Sequence, residues 1–264
     1  MLKMERCAKS FNLFQKCGRI HTACGVSGCI VLMILVMLMA GSLPNENREN
    51  VILLHGLGRT SGSMLILKHR LQHAGYRVTS KSYASTQGSV SDHMVWLEAL
   101  LDEYDREDQE QIHFVTHSLG GIVVRKYLAE YPVANLGRVV MLSPLNQGSE
   151  VADYFKDWKL FQMAMGPSGQ ELGTEYGSTP NSLGPVAFEL GVISGDASIN
   201  PLTSWLIPGS DDGAVSVGRT RVDGMTDFRV VHHSHTFIMN ASEVADEVIS
   251  FLKTGSFAHE DMRP

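Results

Sequence analysis

"QIHFVTHSLGGIVVRKYLAEYP", Gln111 to Pro132, decides the fold. An apolar run of strand type ends at His117 and Ser118. After Gly120 and Gly121 a helical pattern begins, which Pro132 stops. A serine on such a strand-to-helix turn points its hydroxyl out of the sheet, and the helix that follows aims free N–H groups and its positive dipole end at the same place. Small residues are needed there because strand and helix backbones come close together, and Gly120 and Gly121 meet that need. Thr116 stands where the G-x-S-x-G pattern has its first glycine and makes the turn more crowded. Taken alone, a serine in a glycine-rich turn is more often structural than catalytic, so the case for Ser118 rests on what accompanies it.

Outward from this turn, strand and helix patterns alternate. "VILLHG" (Val51 to Gly56) reads as a strand buried on both faces, and "SGSMLILKHRLQHAG" (Ser61 to Gly75) as an amphipathic helix closed by glycine. "YRVTSKSY" (Tyr76 to Tyr83) is the next strand, and "SVSDHMVWLEALLDEYDRE" (Ser89 to Glu107) a helix with a capping residue at its start. "GRVVMLS" (Gly137 to Ser143), "FELGVISG" (Phe188 to Gly195) and "TDFRVVH" (Thr226 to His232) are further strands, and "ASEVADEVISFLK" (Ala241 to Lys253) is a closing helix. This is an α/β pattern: a mostly parallel central sheet with helices on both faces. Such sheets bind ligands at the carboxyl ends of their strands. The rhythm breaks at residues 146–185, too long for a plain connection. Phe155, Trp158, Phe161, Met163 and Met165 in that insertion form the kind of soft apolar surface that covers a pocket.

Two more features fall at strand ends. "HGLG" (His55 to Gly58) lets a backbone N–H, that of Leu57, point at the same site as the N–H of Leu119. Two such donors stabilise the oxyanion of a tetrahedral intermediate, at about 2.7–4 kcal/mol for a donor. His55 itself reads as a residue that holds the loop by hydrogen bonds. The second feature is the pair "GSDDGAVSV" (Gly209 to Val217) and "VVHHSHTF" (Val231 to Phe237). A serine hydroxyl needs an imidazole to take its proton, and the imidazole needs a carboxylate to fix its tautomer. His235 follows the last strand by a few residues and precedes the closing helix, which favours it over His232 and His233 as the candidate base. Asp212 is the candidate acid, with Asp211 its near rival and Asp196 its distant one. The histidine cluster lacks the cysteines or paired carboxylates of a metal site, and His69 and His73 read as a solvated helix face beside Lys68 and Arg70.

Residues 1–42 differ from the rest. They carry five of the basic residues against Glu5 alone, a net of +4, which leaves −10 for the body of a chain whose total is −6. An acidic body repels phosphate backbones, which argues against nucleic acid as a partner. Cys7, Cys17, Cys24 and Cys29 all lie in this segment, so the body has no disulfides. A basic leader followed by "CIVLMILVMLMAG" (Cys29 to Gly41) predicts a signal peptide or membrane anchor, with the body exported and membrane association through the apolar run. Residues 43–50 then read as a linker, 51–254 as the catalytic domain and 255–264 as a tail.

Together "VILLHGLG", "THSLGG", the acid in "DDGAV" and the "HSHTF" loop resemble the α/β-hydrolase superfamily, in its compact lipase and esterase branch. "VVMLSPLNQGSE" resembles the strand and loop after the nucleophile in inositol-deacylase-like lipases, where the segment that follows forms a small lid. The resemblance spans Val51 to Lys253. It implies Ser118 as nucleophile, His235 as general base and acid, Asp212 as the orienting acid, and the Leu57 and Leu119 N–H groups as oxyanion hole. It implies a carboxylic ester hydrolase acting on lipid or other apolar acyl esters through an acyl-serine, without metal or organic cofactor. The same triad serves thioesterases, amidases and acyltransferases. From another class, a non-catalytic protein binding an acyl ligand in the same pocket is the rival reading, but it has no need of nucleophile, base, acid and oxyanion loop together.

Overall fold

A computed structural model describes residues 49–103 and 110–258. The leader and apolar run at 1–42, most of the linker and residues 104–109 lie outside the described residues, and the helix expected over 89–107 ends at Leu101, capped by Asp102. No described helix is long and apolar enough to cross a membrane.

Among the described residues the six strands are β1 (Asn50–Leu54), β2 (Arg77–Ser80), β3 (Ile112–His117), β4 (Leu136–Leu142), β5 (Leu190–Gly195) and β6 (Asp227–Val231). They form one sheet in the order β2-β1-β3-β4-β5-β6, parallel throughout. Parallel neighbours need crossovers, and helices supply them: α1 (Leu65–His73), α2 (Val90–Leu101), α3 (Leu119–Glu130), α4 (Glu150–Phe155), α5 (Lys159–Gln170), α6 (Thr179–Ser182) and α7 (Pro201–Leu206), with α8 (Ser242–Thr254) closing the fold. A capping box between Ser89 and Asp92 starts α2.

Side chains alternate along each strand, so the sheet divides its apolar residues between two cores. Ile52, Leu54, Phe114, Met141 and Val192 meet α2 and α3 on one face. Val51, Leu53, Val115, Val140 and Ile193 meet α1 and α8 on the other. Burial on both faces is what makes residues 51–54 of β1 and 139–142 of β4 read as unbroken apolar runs. The edge strand is shorter than Tyr76 to Tyr83: β2 stops at Ser80, where its pairing with β1 ends. The chain then turns inward and stacks Tyr83 on His55, centroids 4.3 Å apart. β1 begins at Asn50, one residue inside the expected linker. At the other end, packing continues past residue 254, since Phe257 is buried and its N–H donates to Asp227 at 2.8 Å.

The long break between β4 and β5 contains α4, α5 and α6. Gly166, at φ 64° beside Pro167, kinks α5 into two segments. Here the expectation of an apolar cover fails in part. Phe155 packs against Trp158 and Phe161, but Leu160 and Met163 face outward, at 77% and 82% exposure. Both ends of the insertion are gathered by one buried cation. Arg125 of α3 donates to the carbonyl and side-chain oxygens of Asn146, both at 3.0 Å, and to the Gly184 carbonyl at 2.8 Å.

Candidate active site

Ser118 occupies the turn between β3 and α3 at φ 53°, ψ −122°. A positive φ at a non-glycine residue costs on the order of 1–3 kcal/mol and persists only where the surroundings impose it. They do so here: the Ser118 N–H is pinned to the Leu142 carbonyl at 3.0 Å, and α3 starts at the next residue. A Cβ at Gly120 would stand 2.8 Å from the Leu54 carbonyl oxygen and 3.0 Å from that of His55, so only glycine lets the helix pass β1. The crowding that Thr116 introduces is taken up at Gly121, where a Cβ would lie 3.3 Å from its hydroxyl.

The structure brings three of the sequence-predicted residues into one hydrogen-bonded chain. His235 Nε2 lies 3.0 Å from Ser118 Oγ, and His235 Nδ1 lies 2.9 Å from Asp212 Oδ2. A carboxylate can only accept, so Nδ1 carries the proton and Nε2 faces the serine as an acceptor. The His235 N–H also donates to the Asp212 carbonyl at 2.9 Å, fixing loop to loop. Asp212 Oδ1 accepts from the N–H groups of Ala214 and Val215, both at 3.0 Å, so one carboxylate oxygen is held by the turn and the other faces the imidazole. Burial alone would raise the Asp212 pKa. The opposing charge and hydrogen bond of His235, with hydrogen bonds from Ser143 and the Val215 N–H, outweigh it and hold the carboxyl below its usual range. The rival acids are committed elsewhere. Asp211 Oδ1 accepts from Ser204 Oγ at 2.8 Å and from the Gly213 N–H at 2.7 Å, while Asp196 meets the exposed His232 at 2.9 Å.

Leu57 lies in a turn closed by the Arg59 N–H on the Gly56 carbonyl, 3.3 Å, with Gly58 at φ 65°. Gly56 abuts the serine, since a Cβ there would be 3.1 Å from Ser118 Cβ. Among the described residues, the N–H groups of Leu57 and Leu119 have no hydrogen-bond acceptor outside their own elements. His55 braces this loop. Its Nδ1 lies 2.9 Å from the Gly56 carbonyl, its Nε2 accepts from the Tyr83 N–H at 3.2 Å, and the Tyr83 hydroxyl donates to the His55 carbonyl at 2.7 Å.

Sequence reasoning missed two supports of this arrangement. His117 was read only as the last strand residue, yet its Nε2 reaches the His235 carbonyl at 2.9 Å and its ring lies 4.8 Å from that of His235. Ser143, at φ 44° just after β4, accepts from the Gly195 N–H at 3.2 Å and helps hold the Asp212 carboxyl below its usual range. An aromatic donor beside the serine and a hydroxyl at the next strand end were the signals available for them.

Burial pushes the pKa values of His55, His93, His113 and His117 below the usual 6.5. Between the folded and unfolded pKa values the unfolded chain binds more protons, so stability is full above about 6.5 and falls as the pH drops below it. The urea midpoint is therefore expected to be lower at pH 5 than at pH 7, with the loss already under way before the carboxylates titrate. An unchanged midpoint across that range contradicts neutral buried histidines.

No protein-family model matches the chain, and no curated protein matches it in sequence. Solved structures do resemble it. Bacillus licheniformis lipase BlEst2 in its propeptide form superposes with a TM-score of 0.67 at 17% identity, over 82% of this chain and 53% of that one. The mature form gives 0.63 at 17% identity, over 81% and 94%. Phospholipase PlaB from Legionella pneumophila gives 0.64 at 17% identity, over 79% and 60%. The chain thus spans about half of the BlEst2 propeptide form and three-fifths of PlaB. Identities this low speak for the fold alone.

Proposed function

We propose that this chain, an α/β-hydrolase by fold, is a serine hydrolase that cleaves carboxylic esters through an acyl-serine intermediate. The observation that carries the reading is the continuous hydrogen-bonded line from Ser118 Oγ through His235 to Asp212, at 3.0 and 2.9 Å. In this mechanism His235 Nε2 takes the Ser118 proton as Oγ bonds to the ester carbonyl carbon. The N–H groups of Leu57 and Leu119 receive the negative charge that develops on the carbonyl oxygen. Protonated His235 then gives its proton to the departing alkoxide, leaving acyl-Ser118 and a free alcohol. Water enters, loses a proton to His235, and releases the carboxylic acid and the serine. Asp212 stays ionised throughout and holds the imidazole in the reacting tautomer. Residues 146–185 act as a lid in this reading, anchored at both ends by Arg125.

The substrate assignment to lipid or apolar acyl esters draws support from the lipases and phospholipase that share the fold. The test is a fluorophosphonate probe, which phosphonylates an activated serine. The native chain is expected to label at a single site, and Ser118→Ala to abolish the label. A native chain that takes no label, or a label that survives Ser118→Ala, removes the serine hydrolase reading.

A further inference from the structure

Arg59 is the third residue beyond Gly56 in the loop that carries the Leu57 N–H, and the mechanism above does not use it. Its position is fixed by the turn. The Arg59 N–H closes on the Gly56 carbonyl at 3.3 Å, which brings the Cα atoms of the two residues to within about 7 Å of one another. The Gly58 N–H is tied to Ser85 Oγ at 3.0 Å, which holds the far side of the turn. Gly56 in turn touches Ser118, so a side chain as long as arginine starts within reach of the mouth of the site.

What sets Arg59 apart is the lack of a partner for its guanidinium among the described residues. It is partly buried, and burial lowers its pKa with no acid acting against that shift. The other buried or partly buried arginines among the described residues are all engaged. Arg138 meets Glu189, Arg219 meets Glu150, Arg229 lies 3.7 Å from Glu247, and Arg125 is held by carbonyl and amide oxygens. In a body where acids outnumber bases, a partly desolvated guanidinium left without an oxygen partner among the described residues is a cost the fold does not need. Its field also reaches the residues under the serine, since its charge opposes protonation of both His117 and His55.

We propose that Arg59 is a specificity-determining residue that holds an anionic oxygen group of the substrate, a carboxylate or a phosphate, beside the ester being cleaved. The proposal rests on the serine hydrolase reading and narrows its substrate class to esters bearing a negative charge near the scissile carbonyl. The planar fork of guanidinium donors matches either anion in two parallel hydrogen bonds, which a lysine reproduces only as a point charge.

Two matched pairs test it and separate the two anions. p-Nitrophenyl butyrate against p-nitrophenyl hemisuccinate places a carboxylate on the acyl side. 1-Hexanoylglycerol against 1-hexanoylglycerol 3-phosphate places a phosphate on the alcohol side. In at least one pair the native chain is expected to favour the anionic ester in kcat/KM by about 10- to 100-fold. Arg59→Gln should bring that ratio close to one, and Arg59→Lys should retain part of it. An equal ratio in native and Arg59→Gln chains overturns the assignment while leaving the hydrolase reading intact. If the native chain hydrolyses no ester, the hydrolase reading falls, and binding decides Arg59. Calorimetric titration of Ser118→Ala with 1-hexanoylglycerol 3-phosphate and with monomethyl succinate should then show affinity at least about tenfold above that of Ser118→Ala/Arg59→Gln for one of the two. Equal affinities in both proteins for both compounds overturn the proposal.

Discussion

Ser118→Ala is expected to lower kcat about a millionfold, to the residual rate that oxyanion donors and substrate binding sustain without a nucleophile. In the proposed mechanism the three groups act as a unit, and the size of the loss follows from that. Without Oγ at 3.0 Å from His235 Nε2, the base has no proton to take and the Asp212 carboxylate has no developing charge to stabilise. The fold should bear the change well. Ser118 makes no side-chain cap to α3, and alanine is no worse suited than serine to φ 53°. The thermal midpoint of the variant should therefore match or slightly exceed that of the native chain, as removal of a strained functional group often gives. Steady-state ester hydrolysis and a thermal unfolding curve on the same preparation make the check. A variant that keeps even a hundredth of native turnover contradicts the role given to Ser118.

The strands and helices were legible where one period ruled. Residues 51–54 of β1 and 139–142 of β4 are buried on both faces and apolar at every step, β3 buries His113, Thr116 and His117 among its apolar residues, and α3 is announced by glycines that nothing but close packing requires. Legibility failed where tertiary contacts decide. Tyr76 to Tyr83 alternates as a strand should, but ladder partners exist only to Ser80, and His55 captures Tyr83. α7 went unread because its six residues, Pro201–Leu206, bury none of their side chains and so carry no helical stripe. The outward face of α5 could not be told from an inward one by apolar content alone, since Leu160 and Met163 are as apolar as Phe161. In the site, the order serine, acid, histidine was visible, but three aspartates satisfied it. What separates them is a glycine. A Cβ at Gly195 would stand 3.0 Å from Asp212 Cβ and 2.2 Å from the His233 carbonyl oxygen, so the end of β5 meets the acid loop and the histidine loop at one point. His117 stayed hidden for a different reason, because its bond is to a backbone carbonyl that no side-chain pattern records.

Asp212→Asn is expected to lower kcat about 10⁴-fold, and the hydrogen bonds explain why so small a change acts so strongly. The Ala214 and Val215 N–H groups both point at Oδ1. An asparagine at 212 must place its oxygen there, because its amide nitrogen would meet two donors. The amide nitrogen then faces His235 Nδ1 at the position now held by Oδ2, and it donates where the carboxylate accepted. His235 Nδ1 becomes an acceptor, its proton moves to Nε2, and the base meets Ser118 with the nitrogen it needs for proton transfer already protonated. Backbone geometry is retained, so substrate binding should change far less than kcat. Asp211→Asn and Asp196→Asn are expected to stay within about tenfold of native activity, since Asp211 serves Ser204 and the Gly213 N–H, and Asp196 only the exposed His232. Parallel kcat and KM measurements on the three variants, with the ¹⁵N shifts of His235 as a direct report of its tautomer, decide the matter. Near-native turnover in Asp212→Asn together with a collapse in either of the others would move the acid to that residue, and an unchanged His235 tautomer would break the link between the amide and the loss of rate.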